Sequence, residues 1–190
     1  MKRLAVALIL TAAPACAAAH GGAAPTETQT VVILARHAEK ASETETDPPL
    51  SERGRARSAA LAETLRQAGV TGAIVSERIR TQQTAAPSLR DIVPDTVSIA
   101  GGVDAHARAV ADRIRSRHSG GTVLVVGHSN TIPAIMTALG AGPLADICDA
   151  AYGNLYIMFL TERAPPRIVR AKFGAPDPPG ADNCPGMRAP

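Results

Sequence analysis

Arg36 and His37 follow directly on the apolar run Val31-Val32-Ile33-Leu34-Ala35. An imidazole beside a fixed cation, at the C-terminal lip of a buried strand, can accept a phosphoryl group. The ring supplies the nucleophile, and the guanidinium offsets the charge of the anion it meets. Two further apolar runs end in a similar way. Thr122–Val126 leads into Gly127-His128-Ser129-Asn130, and Ala73–Val75 leads into Ser76-Glu77-Arg78-Ile79-Arg80. One basic strand end is an ordinary solvated terminus. Three in one chain point to a shared anion site, because open α/β sheets bind ligands at the carboxyl ends of their strands.

The elements that must place those ends read as alternating strands and helices. Glu43–Pro49 is an acidic, Pro-ended loop. Ser51 can cap a helix running to about Ala68, with Ala59, Leu61, Ala62 and Leu65 on its apolar face and Gly69 closing it. A second helix runs from Ile79 to about Leu89, its end limited by Pro87. A third, Asp104–Arg117, carries Ala107, Val110, Ala111 and Ile114 at helical spacing. Asn130–Leu139 is a fourth, with Pro133 in the first turn, where proline is tolerated. Leu155–Leu160 and Ile168–Phe173 read as late strands at the sheet edge. This order predicts an α/β protein: a three-layer α/β/α sandwich with a largely parallel central sheet.

The start of the chain bears on where it works. Met1-Lys2-Arg3, an apolar stretch from Leu4 to Ala13, and the small-residue zone Ala15–Ala19 have the form of a secretory signal peptide. The apolar part is shorter than the ~20 residues that span a bilayer. The expected division is a signal peptide over 1–19, a linker over 20–29, one domain over 30–173 and a Pro/Gly-rich tail over 174–190. The expected location is periplasmic or secreted. A lipoprotein anchored at Cys16 is the second reading, ranked lower because Ala13-Pro14-Ala15 lacks the Leu usual before a lipidated Cys.

Loss of residues 1–19 lowers the formal charge from +3 to +1. With two Tyr, two Phe and no Trp, the chain has no aromatic platform for stacking bases. Nucleic acid is therefore not an expected partner, and no membrane span is expected in the mature chain. Cys148 and Cys184 would meet an oxidising compartment, where a bridge would tie the tail to the domain; two free thiols are the alternative. No Cys/His spacing suits zinc, and no cofactor is expected.

The motifs resemble those of the histidine phosphatase superfamily, in its phosphoglycerate-mutase-like branch (branch 1). Arg36-His37-Ala38 is similar to the Arg-His-Gly signature, with Ala in place of Gly. Pro49-Leu50-Ser51-Glu52-Arg53-Gly54 resembles the family's Leu-Ser/Thr-x-x-Gly helix start. Arg80-Thr81-Gln82-Gln83-Thr84-Ala85 resembles Arg-x-x-Gln-Thr-Ala, and Gly127-His128-Ser129 the second-histidine motif. The resemblance spans about Thr30 to Phe173. It implies a phosphate pocket of Arg36, Arg80 and His128 around His37, the residue that becomes phosphorylated. It implies a metal-independent phosphohydrolase acting on small phosphate monoesters or phosphoramidates, and the signal peptide makes the expected enzyme an exported one. A phosphomutase of the same chemistry, or a non-catalytic phosphate-binding envelope protein, are the alternatives.

Departures from the family pattern concern the leaving group. Glu43 stands where relatives carry a phosphate-contacting Asn, and Ser129 where the acid phosphatase branch has Asp. Glu77 and Glu39 lie near motif residues and are the proton-donor candidates. An ion pair with Arg78 or Arg80 is the preferred reading of Glu77. Arg53, Arg55 and Arg57 read as a solvated helix face, His106 and His118 as surface residues, and Tyr152 and Tyr156 as core or pocket wall.

Overall fold

The computed structural model describes residues 28–184. The expected signal peptide, Cys16, most of the linker and the tail beyond 184 lie outside the described residues.

Ten elements follow in sequence: β1 (Thr30–Arg36), α1 (Glu52–Thr64), β2 (Gly72–Val75), α2 (Ile79–Leu89), β3 (Asp95–Thr96), α3 (Val103–Arg117), β4 (Thr122–Gly127), α4 (Thr131–Ala138), β5 (Asn154–Leu160) and β6 (Arg167–Lys172). The sheet order is β3-β2-β4-β1-β5-β6. The first four are mutually parallel, with Ala35 opposite Val126 and Val75 opposite Val126 on its other side. The two late strands run antiparallel. The sheet is thus mixed, and its parallel half carries the three strand ends singled out above.

Side chains alternate across the pleat and divide the core in two. Val32, Leu34, Ile74, Val123 and Val125 pack with Val110, Ile114, Ile132 and Ile135 of α3 and α4. Ile33, Ala35, Val75, Leu124 and Val126 pack with Leu61 of α1 and with Ala85 and Leu89 of α2. Strands buried on both faces must be apolar at every position, which is why β1 and β4 read as unbroken runs rather than alternations. Among the described residues no helix is long and apolar enough to cross a membrane.

Three expectations change. Helix α1 ends at Thr64 rather than near Ala68. Its buried face is Gly54, Arg57, Ser58 and Leu61, while Ala59 is exposed. Leu61 and Leu65 are buried as expected, and the stripe keeps helical i, i+3, i+4, i+7 spacing, but two of its members, Arg57 and Ser58, are polar and could not be read from the apolar residues. His106 is buried rather than superficial, with Nδ1 3.1 Å from the carbonyl of Ser98. His118 is half-buried and reaches Asp95 at 3.3 Å.

The chain after β6 is irregular but packed. Asp177 accepts from the backbone N–H groups of Tyr152 and Gly153, and Ala181 joins the core. Cys148 and Cys184 are bonded, their Cα atoms 5.5 Å apart.

Candidate active site

Four strand and helix ends converge on one cavity of about 350 Å³, at the small end of ligand-pocket sizes. Its lining includes Arg36 and His37 from the end of β1, Arg80 from the first turn of α2, and His128 from the end of β4. All four residues singled out in the sequence therefore share one wall. Lys40 and Asp149 complete the charged lining, and Ile99 and Val103 form an apolar side.

His37 is held in one orientation. Its backbone N–H donates to the Gly127 carbonyl at 2.9 Å. Its Nδ1 lies 2.8 Å from the carbonyl of Ala38. A carbonyl only accepts, so Nδ1 carries the proton and Nε2 keeps the lone pair. The ring meets that of His128 edge-on, with centroids 5.3 Å apart. Its pKa is pushed down to about 3, chiefly by burial. The charges of Arg36, His128 and Arg80 add to this, and the hydrogen bond to Ala38 opposes it. The ring is neutral, as a nucleophile must be. His128 is likewise pushed down to about 3, first by burial and then by Arg80 and its other cationic neighbours.

The motif residues around the pocket have structural reasons of their own. Thr84 Oγ1 accepts from the Ala38 N–H at 2.9 Å and donates to the Arg80 carbonyl at 2.7 Å, tying α2 to the turn after His37. Gln83 Oε1 accepts from the Leu50 N–H at 2.8 Å. Ser51 caps α1 by accepting from the Gly54 N–H at 3.0 Å. Gly54 is required because a Cβ there would run into the carbonyl of Glu39. Ala38, in the place of the signature Gly, is fully buried.

The two arginines are only partly satisfied. Arg36 is 4 % exposed and donates from Nη1 to the carbonyls of Cys148 and Asp149, each at 2.9 Å. Its Nη2 reaches the Asp149 carboxylate at 3.4 Å, and its guanidinium stacks on Tyr152, 4.3 Å from the ring centroid. Arg80 pairs with Asp47 at 3.2 Å. The Nε atoms of both arginines are buried without a partner. Both arginines line the cavity together with His37 and His128, and such a cluster of cationic and hydrogen-bonding side chains suits an anion. The cavity also opens on Thr131 at the start of α4, where the helix dipole favours negative charge, although the Ile132 N–H is taken by the His128 carbonyl at 3.1 Å and Pro133 has none.

The proton-donor candidates are not brought to the cavity. Glu39 is taken by Arg57, which holds both its oxygens at 3.0 Å or less, and by Arg53 at 2.9 Å. Glu77 is exposed and does not pair with Arg78 or Arg80. It accepts from the Ile99 N–H at 3.0 Å and the Ser98 hydroxyl at 3.3 Å. Its slight burial raises its pKa, but backbone N–H donors, the Ser98 hydroxyl and Arg78 outweigh that and hold it below the usual range. It is therefore held as the carboxylate and carries no proton to donate to a leaving group. Glu43 pairs with Lys40 at 2.7 Å. The carboxylates that do reach the pocket arginines, Asp47 and Asp149, were not singled out in the sequence. Neither sits in a motif, and only the fold of two loops brings them there.

A mixed α/β sheet with a histidine pair and two arginines at its carboxyl edge defines an anion-binding site of the phosphatase kind. Residues 32–101 match the family model of the histidine phosphatase superfamily (branch 1). Several solved structures share the fold. One is described as a phosphohistidine phosphatase, SixA, from Nakamurella multipartitia (TM-score 0.57, 24 % identity, 77 % of this chain and 98 % of that one covered). Another is a phosphoserine phosphatase from Entamoeba histolytica, in complex with 3-phosphoglyceric acid (0.57, 15 %, 77 % and 98 %). A third is a mycobacterial glucosyl-3-phosphoglycerate phosphatase (0.56, 18 %, 69 % and 90 %). At these identities the likeness is one of fold. No curated protein matches the chain.

Proposed function

We propose that this protein is an exported phosphohydrolase that cleaves phosphate monoesters or phosphoramidates through a phosphohistidine on His37. The observation that carries the reading is the convergence of Arg36, Arg80 and His128 on one cavity with His37, an imidazole whose Nε2 is unprotonated.

Most of what phosphoryl transfer asks of a protein is positioning and charge stabilisation. Arg36 and Arg80 bind the equatorial oxygens, exchanging Asp149 and Asp47 for the phosphoryl group. His37 Nε2 attacks phosphorus as the bond to the leaving group breaks. Water then attacks the phosphohistidine, releasing inorganic phosphate and restoring the neutral ring. Among the described residues no Glu carboxyl is placed to protonate a departing alkoxide. The site therefore suits leaving groups that depart easily, such as aryl oxides or protonated nitrogens. The N-terminal apolar run and the Cys148–Cys184 bond support export, since such bonds persist in oxidising compartments.

The test is hydrolysis of an activated aryl phosphate and of a phosphoramidate by the purified mature chain, without added metal. Turnover is expected for the wild type and only background for His37→Ala. Undiminished turnover by His37→Ala would overturn the mechanism. Phosphate binding without any turnover would make the protein a binding module.

A further inference from the structure

His128 meets the pocket with one nitrogen already committed. Its Nε2 lies 3.0 Å from Oγ of Ser76, a buried residue just beyond β2. Ser76 Oγ accepts from the Arg78 N–H at 3.3 Å and lies 3.0 Å from Oγ1 of the fully buried Thr81. No partner is present for His128 Nδ1 among the described residues, and the ring lines the cavity. Nδ1 is therefore the nitrogen available to a ligand.

Which hydrogen His128 offers depends on the two hydroxyls behind it. A hydroxyl has one proton to give and two lone pairs. Thr81 can direct its proton to the Arg78 carbonyl at 2.8 Å, the Ser76 carbonyl at 3.1 Å, or Ser76 Oγ. The Arg78 carbonyl already accepts from the N–H groups of Thr81 and Gln82, so it does not need the hydroxyl. With Thr81 donating to Ser76, the Ser76 proton is free for His128 Nε2. A neutral ring whose Nε2 accepts must carry its proton on Nδ1. With the chain reversed, Nε2 carries the proton and Nδ1 turns a lone pair toward the phosphoryl oxygens, which is repulsive.

We propose that Ser76 is a positioning residue which, through the chain Thr81 to Ser76 to His128, makes the neutral His128 ring a hydrogen-bond donor to the bound phosphoryl group. The proposal rests on the pocket binding a phosphoryl group. It explains how a ring among Arg36, Arg78, Arg80, His37 and His106 can donate without becoming one more cation. The low pKa of His128 agrees with a neutral ring. It also gives a purpose to a buried Ser at the end of β2 that no charge argument singles out.

The test is 15N NMR of histidine-labelled full chain with saturating inorganic phosphate, which separates protonated from unprotonated ring nitrogens. For the wild type, His128 is expected neutral with its proton on Nδ1. Ser76→Ala is expected to move the proton toward Nε2 and to weaken phosphate binding roughly tenfold, the size of one lost hydrogen bond near a charged ligand. Thr81→Val, close in shape, is expected to act in the same direction by a smaller factor. A phosphate-bound wild type with His128 doubly protonated, or protonated on Nε2 alone, would overturn the proposal while leaving the phosphohydrolase reading intact. So would a Ser76→Ala protein with unchanged tautomer and affinity. Failure of phosphate to bind at all would overturn both. If Ser76→Ala does not fold, the wild-type tautomer decides.

Discussion

Among the described residues two arginines are almost completely buried, and they are treated in opposite ways. Arg57, 2 % exposed, is saturated. Both oxygens of Glu39 face it, Asp177 lies at 3.2 Å, and the carbonyls of Phe173 and Ala175 accept at 3.2 and 3.0 Å. Arg36, 4 % exposed, has two carbonyls, one carboxylate that is itself 86 % exposed, and an Nε with no partner. The first closes α1 onto the turn after His37 and onto the tail. The second is left open toward a cavity that holds His37. A buried cation must be compensated, so an incompletely compensated one beside a nucleophile marks where a ligand is meant to sit.

The contrast predicts that removing the two arginines will fail differently. Arg57→Ala removes the buried cation that Glu39 and Asp177 share, leaving them Arg53, Lys172 and two backbone N–H groups, and is expected to cost about 3–5 kcal/mol of stability by chemical denaturation. The protein that remains folded should keep its turnover number. Arg36→Ala removes charge stabilisation of the transferring group. Its kcat/KM is expected to fall about 10²–10³-fold, with a much smaller loss of stability, because the partner it leaves, Asp149, is in water. If the two variants showed the same pattern, the distinction between a structural and a ligand-binding arginine would fail.

Cys184→Ser sharpens the comparison from a third direction. The bond closes a loop with a sequence separation of 36, so its loss is expected to cost about 2–4 kcal/mol. Cys148 also offers its carbonyl to Arg36, so phosphate affinity should weaken as well. Affinity unchanged in the folded variant would show that the bridge serves the tail alone.

Acidity separates the regions again. His37 and His128 have an ordinary pKa of 6.5 when unfolded and about 3 when folded. The unfolded chain therefore takes up protons first, and the stability these rings allow is kept above about pH 6.5 and lost as pH falls toward about 3. Denaturation midpoints across that range should show this slope, and it should flatten when both rings are replaced. The smallest effect is expected for Asp149→Asn. An exposed pair is worth under about 1 kcal/mol, so phosphate should bind only a few-fold more tightly.

The site was more legible in the sequence than its surroundings. Arg36, His37, Arg80 and His128 stand at the ends of strands or helices whose apolar runs are unambiguous, and a parallel sheet brings such ends together. The two late strands with antiparallel pairing, β5 and β6, were readable as strands. The two-residue β3 left no periodic trace. Arg57 was misread because a charged residue on a helix normally faces water, and nothing local reveals that Glu39 and Asp177, 18 residues before and 120 after it, converge there. Ser76, Asp47 and Asp149 were missed for the same reason: their meaning depends on a neighbour supplied by another loop.

The central claim is that the open arginines serve a phosphoryl group moving onto His37. It is tested most directly by mixing the protein with a radiolabelled activated phosphate, quenching in alkali and mapping the label. The account predicts an acid-labile, alkali-stable phosphoryl group on the peptide containing His37, absent from His37→Ala. Turnover accompanied by label on another residue, or by none on His37 under single-turnover conditions, would contradict it.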